Sequence, residues 1–156
     1  MRSILVAKTV DFCYGHRLLN YQGPCSNLHG HTGQVEVTLS SDKSIAPEER
    51  NLNALGILVD FTEVKQFVKS WIDEHWDHAM LLNSGDQETL AFVLAHNLKC
   101  YVMPGGSNPT SENMAYVIFQ ECSRRFGALE ELGIFVSKVR IYEGPNSFAE
   151  YQRDEI

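Results

Sequence analysis

The chain has 156 residues, 44% of them hydrophobic and 21% charged, with a formal net charge of -7. That length predicts a single domain over residues 1–156 with a sizeable core. The acidic balance argues against a general nucleic-acid binder, because a phosphate backbone calls for surplus Lys and Arg.

No apolar run approaches the roughly 20 residues that span a bilayer, so no membrane partner is expected. The first ten residues are interrupted by Arg2 and Lys8 and run into Asp11, which reads as no signal peptide. Cys13, Cys25, Cys100 and Cys122 form no C-x-x-C pair and no dense framework. Reduced thiols in a cytoplasmic protein fit that pattern better than a disulfide scaffold.

In chain order, Ser3–Phe12 and Gln34–Ser40 read as two strands. Both are rich in β-branched residues, and Val35, Val37 and Leu39 alternate with polar neighbours. They are expected to pair antiparallel, joined by the segment that carries His29 and His31, with His16 just past the end of the first. Ser41–Gly56 is polar and reads as a solvated excursion, and Ile57–Val59 as a short apolar strand end. The period then changes: Val64, Phe67, Val68, Trp71, Ile72 and His75 mark one face of a helix, with Asp60 and Glu63 as a capping box at its start.

A weaker helix is expected from Gln87 to Asn97, then a short strand over Cys100–Met103 and a Gly/Pro loop. A third helix starts at Thr110 or Ser111, with Glu112 in its first turn where a negative charge suits the dipole and Gly127 as its stop. Ile134–Tyr142 and Ser147–Tyr151 read as closing strands joined by Glu143-Gly144-Pro145-Asn146. The order of elements suggests an α+β fold, an antiparallel ββ-α-α-ββ sheet with helices on one face. Its other face must then meet water or another subunit.

Residues i and i+2 of a strand share a side, so His29 and His31 face one way, and His16 lies opposite them if the hairpin pairs. Three imidazoles converging on one ion make an open, catalytic type of zinc site. Cys25 has three readings beside it. It closes the site as a fourth ligand, takes a proton as a free thiolate of lowered pKa, or is a small buried hydrophobe. Asp77-His78 is either a carboxylate-oriented imidazole for proton transfer or a plain helix exit. His75 and His78 also have H-x-x-H spacing, against which stands the place of His75 in the helical stripe. Glu143 at a strand end is a turn carboxylate or, if it faces a pocket, a bidentate acceptor for an amino-pyrimidine edge.

Taken together, Gly15-His16-Arg17, Cys25 through His31, Leu58-Val59-Asp60-Phe61, Asp77-His78, Asn108 through Asn113 and Tyr142-Glu143 resemble one family. It is that of the 6-pyruvoyl-tetrahydropterin and 6-carboxytetrahydropterin synthases, and the segments occur in family order across nearly the whole chain. The three-residue gap between Cys25 and His29 is similar to the carboxy-forming branch; pyruvoyl-forming relatives tend to a longer gap.

The resemblance implies the tunnelling fold, whose barrel forms by association, typically a homohexamer built from two trimers. It implies Zn2+ on His16, His29 and His31, with Cys25 as the proton-abstracting base and Asp77 and His78 as its proton relay. It implies Glu143 as the pterin anchor, with Thr110, Ser111 and Glu112 near the same interfacial pocket. The implied substrate is 7,8-dihydroneopterin triphosphate. The implied products are 6-carboxytetrahydropterin, acetaldehyde and triphosphate, on the route to queuosine. The alternatives are a pyruvoyl-forming synthase and a non-catalytic zinc- or pterin-binding protein. Two departures stand out: Gly144 where many relatives have Thr, and Cys13-Tyr14 where small residues are common. The sequence supplies no role for that pair.

Overall fold

The computed structural model describes residues 4–41, 53 and 55–153. Most of the expected Ser41–Gly56 excursion, 42–52 and 54, lies outside the described residues, as do Met1 to Ser3, the first residue of the expected Ser3–Phe12 strand among them.

The two leading strands are longer than their composition suggests. β1 spans Leu5–His16 and β2 spans His29–Ser41, so the histidines lie within the strands rather than beyond them. The two pair antiparallel over their length, with Phe12 opposite Gly33, Tyr14 opposite His31 and His16 opposite His29. Alternation buries Val10, Phe12, Tyr14 and His16 from β1 with Val35, Val37 and Leu39 from β2 on one side.

α1 (Phe61–His75) and α3 (Ser111–Phe126) contribute Val64, Val68, Ile72, Met114, Ala115 and Ile118 to the core on that side. Fully burying a side chain of this size stabilises the fold by about 1.5–3 kcal/mol. Asp60 caps α1, though it accepts from the Thr62 N–H rather than completing a box with Glu63. Thr110 caps α3 by accepting from the Asn113 N–H at 3.2 Å. Gly127 does not stop α3 through a left-handed residue. The chain passes into a 3-10 turn, and the left-handed end is Gly133 at φ 68°.

Between the helices the sheet departs from the expected antiparallel order. Ala79–Leu82 forms β3, which pairs parallel to β1, and Cys100–Val102 forms β4, parallel to β3. α2 (Gln87–Ala95) makes the crossover that a parallel pair requires. It ends before Asn97, which is left-handed at φ 53°. β5 (Ile134–Gly144) and β6 (Ser147–Gln152) complete a mixed six-stranded sheet of order β4-β3-β1-β2-β5-β6. Ile57–Val59 is not a strand end, and its apolar character is used differently: Leu58 and Val59 are bends whose side chains enter the core. Among the described residues no helix is long and apolar enough to cross a membrane.

Gly33 ties this packing to the end of the sheet that holds the histidines. A Cβ there would lie 2.9 Å from Tyr14 Cε1 and 3.1 Å from the Tyr142 carbonyl oxygen. The backbone oxygen cannot step aside, so Gly33→Ala is expected to destabilise the protein by roughly 1–3 kcal/mol through overpacking. The urea midpoint reads this out, and an unchanged midpoint would contradict the close packing of Tyr14 over β2.

Candidate functional site

The side chains of His16, His29 and His31 meet on the helix-facing side of the β1–β2 pair. Their ring centroids are 4.6, 5.1 and 4.9 Å apart pairwise. One ligand atom from each lies within 4.8 Å of the others. The backbone sets the protonation of two of the rings. His16 Nδ1 is 2.7 Å from the Pro109 carbonyl oxygen, and His29 Nδ1 is 2.7 Å from that of Asn27. A carbonyl only accepts, so each Nδ1 carries a proton, and in the neutral tautomer Nε2 is left bare to act as a ligand.

Those two Nε2 atoms stand 3.0 Å apart. Lone pair facing lone pair at that distance is repulsive unless a proton or a cation lies between. Burial of His16, first among its influences, lowers its pKa against the opposing pull of the Pro109 hydrogen bond, which keeps the ring neutral. His31 Nε2 is buried with no hydrogen-bond partner. Three convergent imidazole nitrogens fit a metal ion: tetrahedral Zn–N bonds of about 2.0–2.1 Å would hold them roughly 3.3 Å apart.

Cys25 lies in a short 3-10 turn, Pro24–Ser26, and is half-buried; the Leu18 N–H donates to its carbonyl at 2.8 Å. Glu143 is not a turn residue but the penultimate residue of β5, on the side shared by Val139 and Ile141. The charges of both act on Tyr14. Burial foremost, then the charges of Glu143 and Cys25, push the Tyr14 hydroxyl above its ordinary pKa. Glu143 also acts on His16. Cys25 is not among the convergent metal-ligand group, which leaves a coordination position unassigned.

Asp77 and His78 form a clamped pair. Asp77 accepts from the Cys13 N–H at 2.9 Å through one oxygen and lies 2.8 Å from His78 Nδ1 through the other. Burial alone would raise the Asp77 pKa. The hydrogen bonds from Cys13 and His78, with the nearby Lys99 charge, outweigh it and hold the carboxyl below its usual value. His78 has φ 56°, an unusual conformation for a residue with a Cβ. Its N–H donates to the Cys13 carbonyl at 2.7 Å, while the Cys13 N–H holds Asp77, so one residue of β1 fixes the pair. The imidazole, 78% exposed, lines a groove with Cys13, Gly30, Thr32 and Met80. Among the described residues no hydrogen bond links this pair to Cys25, and His75 packs against Trp71 rather than joining His78 in a metal group.

Thr110, Ser111 and Glu112 open α3 directly after Pro109, whose carbonyl holds His16. The Thr110 hydroxyl is used by the cap. Asn108 secures the segment by accepting from the Leu19 N–H at 2.9 Å and donating to the Leu19 carbonyl at 3.0 Å. Arg17, adjacent to His16, forms a two-point pair with Asp86 at 2.6 and 3.1 Å. Backbone acceptors such as Pro109 and Asn27 carry no side-chain signal, so sequence reasoning passes over them. Tyr14 could have been found, since its position in β1 puts it on the histidine side.

A family model described as 6-pyruvoyl tetrahydropterin synthase matches residues 5–154. A 6-carboxy-5,6,7,8-tetrahydropterin synthase from Rickettsia bellii is 32% identical over 148 residues, covering 94% of this chain and 99% of its own. One of the same name from Haemophilus influenzae is 30% identical over 148 residues, covering 94% and 97%. Among solved structures, an uncharacterized protein from Wolinella succinogenes superposes with a TM-score of 0.76 at 24% identity, over 99% of this chain and 100% of that one. The 6-pyruvoyltetrahydropterin synthase of Plasmodium vivax does so with a TM-score of 0.69 at 15% identity, over 99% and 100%. With the family model matched over almost its whole length, the chain belongs to the 6-pyruvoyl tetrahydropterin synthase family.

Proposed function

We propose that the protein is a zinc-dependent lyase that converts 7,8-dihydroneopterin triphosphate and water to 6-carboxy-5,6,7,8-tetrahydropterin, acetaldehyde and triphosphate on the route to queuosine. The observation that carries this is the convergence of three imidazole nitrogens next to Tyr14, on which the charges of Glu143 and Cys25 act. The names of the relatives from Rickettsia bellii and Haemophilus influenzae support the carboxy-forming product.

His16, His29 and His31 would hold the metal ion, which when bound supplies Lewis-acid polarisation of a substrate oxygen. The chain's own groups do the rest. Glu143 accepts two hydrogen bonds from the amino-pyrimidine edge of the pterin and fixes its orientation. Thr110, Ser111 and Glu112 border the same pocket from the start of α3. The Cys25 thiolate takes a proton from the carbon side chain next to the ring. His78, held in one tautomer by the Asp77 carboxylate, gives and takes protons at its free Nε2. The side chain is oxidised as the dihydropterin ring is reduced, so the reaction needs no external redox cofactor.

In this reading the protein is a cytoplasmic homohexamer, a dimer of trimers with sites at subunit interfaces. The exposed His78, on a groove with the outward residues Cys13 and Thr32, supports an interfacial relay. The description of the matching family model keeps a second product in play, the 6-pyruvoyl compound that retains the side-chain carbons.

Incubation of zinc-loaded protein with dihydroneopterin triphosphate, with products identified by mass, is expected to release acetaldehyde. An intact pyruvoyl product would transfer the protein to the other branch, and no turnover at all would sink the enzymatic reading. Cys25→Ala is expected to keep its zinc, measured by elemental analysis, while turnover falls by about 100-fold or more. Loss of zinc together with folding would make Cys25 a ligand of a closed, structural site.

A further inference from the structure

Among the described residues, four buried side-chain polar atoms lack a hydrogen-bond partner: Tyr14 Oη, His31 Nε2, Ser40 Oγ and Trp76 Nε1. Two of them belong to the candidate site, and they come from directly opposed residues of β1 and β2. His31 Nε2 is accounted for by the metal ion it fits. Tyr14 Oη is not, and neither the metal ion nor the pterin anchor Glu143 gives it a task.

The ring is held firmly. Tyr14 is 4% exposed and stacks on Phe12 with centroids 5.1 Å apart. It meets His16 edge-on at 5.2 Å and His31 at 5.6 Å, and it leans across β2 through the space left by Gly33. That direction carries the hydroxyl toward the end of β5, within electrostatic reach of Glu143 and Cys25. A buried hydroxyl stripped of water and given no protein partner is costly. Phenylalanine would fill the same space without that cost. The neighbouring polar groups, His16 Nδ1, His29 Nδ1 and Thr110 Oγ1, all have partners. Within the candidate site the unpartnered atoms are therefore Tyr14 Oη and His31 Nε2.

We propose that the Tyr14 phenol is a ligand-binding residue of this site, making a hydrogen bond to an oxygen of the pterin substrate held between Glu143 and the histidine triad. The inference rests on the reading that this site takes a pterin. It adds a polar contact that selects for an oxygen-bearing side chain on the ring.

Tyr14→Phe in the full-length, zinc-loaded protein tests it. The ring packing survives the change, so zinc content is expected to stay as in wild type, and the thermal midpoint of the metal-free protein to stay equal or rise. The dissociation constant for neopterin, measured by calorimetry, is expected to increase about tenfold, with a similar fall in kcat/KM. Equal neopterin affinity in variant and wild type would overturn the proposal while leaving the pterin reading intact. A lowered midpoint with loss of zinc would overturn it in favour of a structural hydroxyl. Failure of the wild type itself to bind neopterin would overturn the pterin reading and this inference together.

Discussion

The register of β1 against β2 is the constraint on which the candidate site depends. His16 faces His29 and Tyr14 faces His31 only in this pairing, and side chains alternate with a period of two. A slip of one residue would turn His29 and His31 to the groove side while His16 stayed in the interior. Val10, Phe12, Val35, Val37 and Leu39 hold the register, because any slip would move their buried surface into water. Within that frame the carbonyls of Pro109 and Asn27 choose the tautomer, so that bare nitrogens rather than N–H groups meet. Hydrophobic burial sets where the rings are, and two hydrogen bonds set what they offer.

Several groups at the candidate site stand in costly arrangements. Two Nε2 atoms face each other at 3.0 Å, His78 sits in a left-handed conformation, and the Tyr14 hydroxyl has no partner. Each of these costs stability, by an amount on the order of 1–3 kcal/mol for a strained backbone residue or a buried unsatisfied group. These three lie toward the histidine end of the sheet, which is backed by a tightly buried core around Ile72, Leu81 and Ile141. Local costs of this kind are offset by a well-packed scaffold.

Much of this was legible in the sequence, for identifiable reasons. His29-Gly30-His31 announces two rings on one face because the strand period is two. The stripe from Val64 to His75 announces α1, and Thr110 announces the cap of α3. β3 escaped notice because Ala79–Leu82 is a short, wholly apolar run without alternation, and it places the sheet's parallel half out of view. Gly127 is the stop of α3 as its position suggests, but without a left-handed backbone, because a 3-10 turn carries the chain on to Gly133. The arrangement of Asp77 and His78 depends on the backbone of Cys13, 64 residues away in sequence, and no residue pattern encodes that contact. Tyr14 could be placed on the histidine side but not recognised as unsatisfied, since satisfaction is a property of the packed neighbourhood.

The central claim is an open site with three imidazole ligands and a free Cys25 thiol. X-ray absorption at the zinc edge of the loaded protein tests it most directly. The account predicts a first shell of nitrogen and oxygen scatterers only, at about 2.0–2.1 Å. A sulfur scatterer at about 2.3 Å would contradict it, since Cys25 would then close the site.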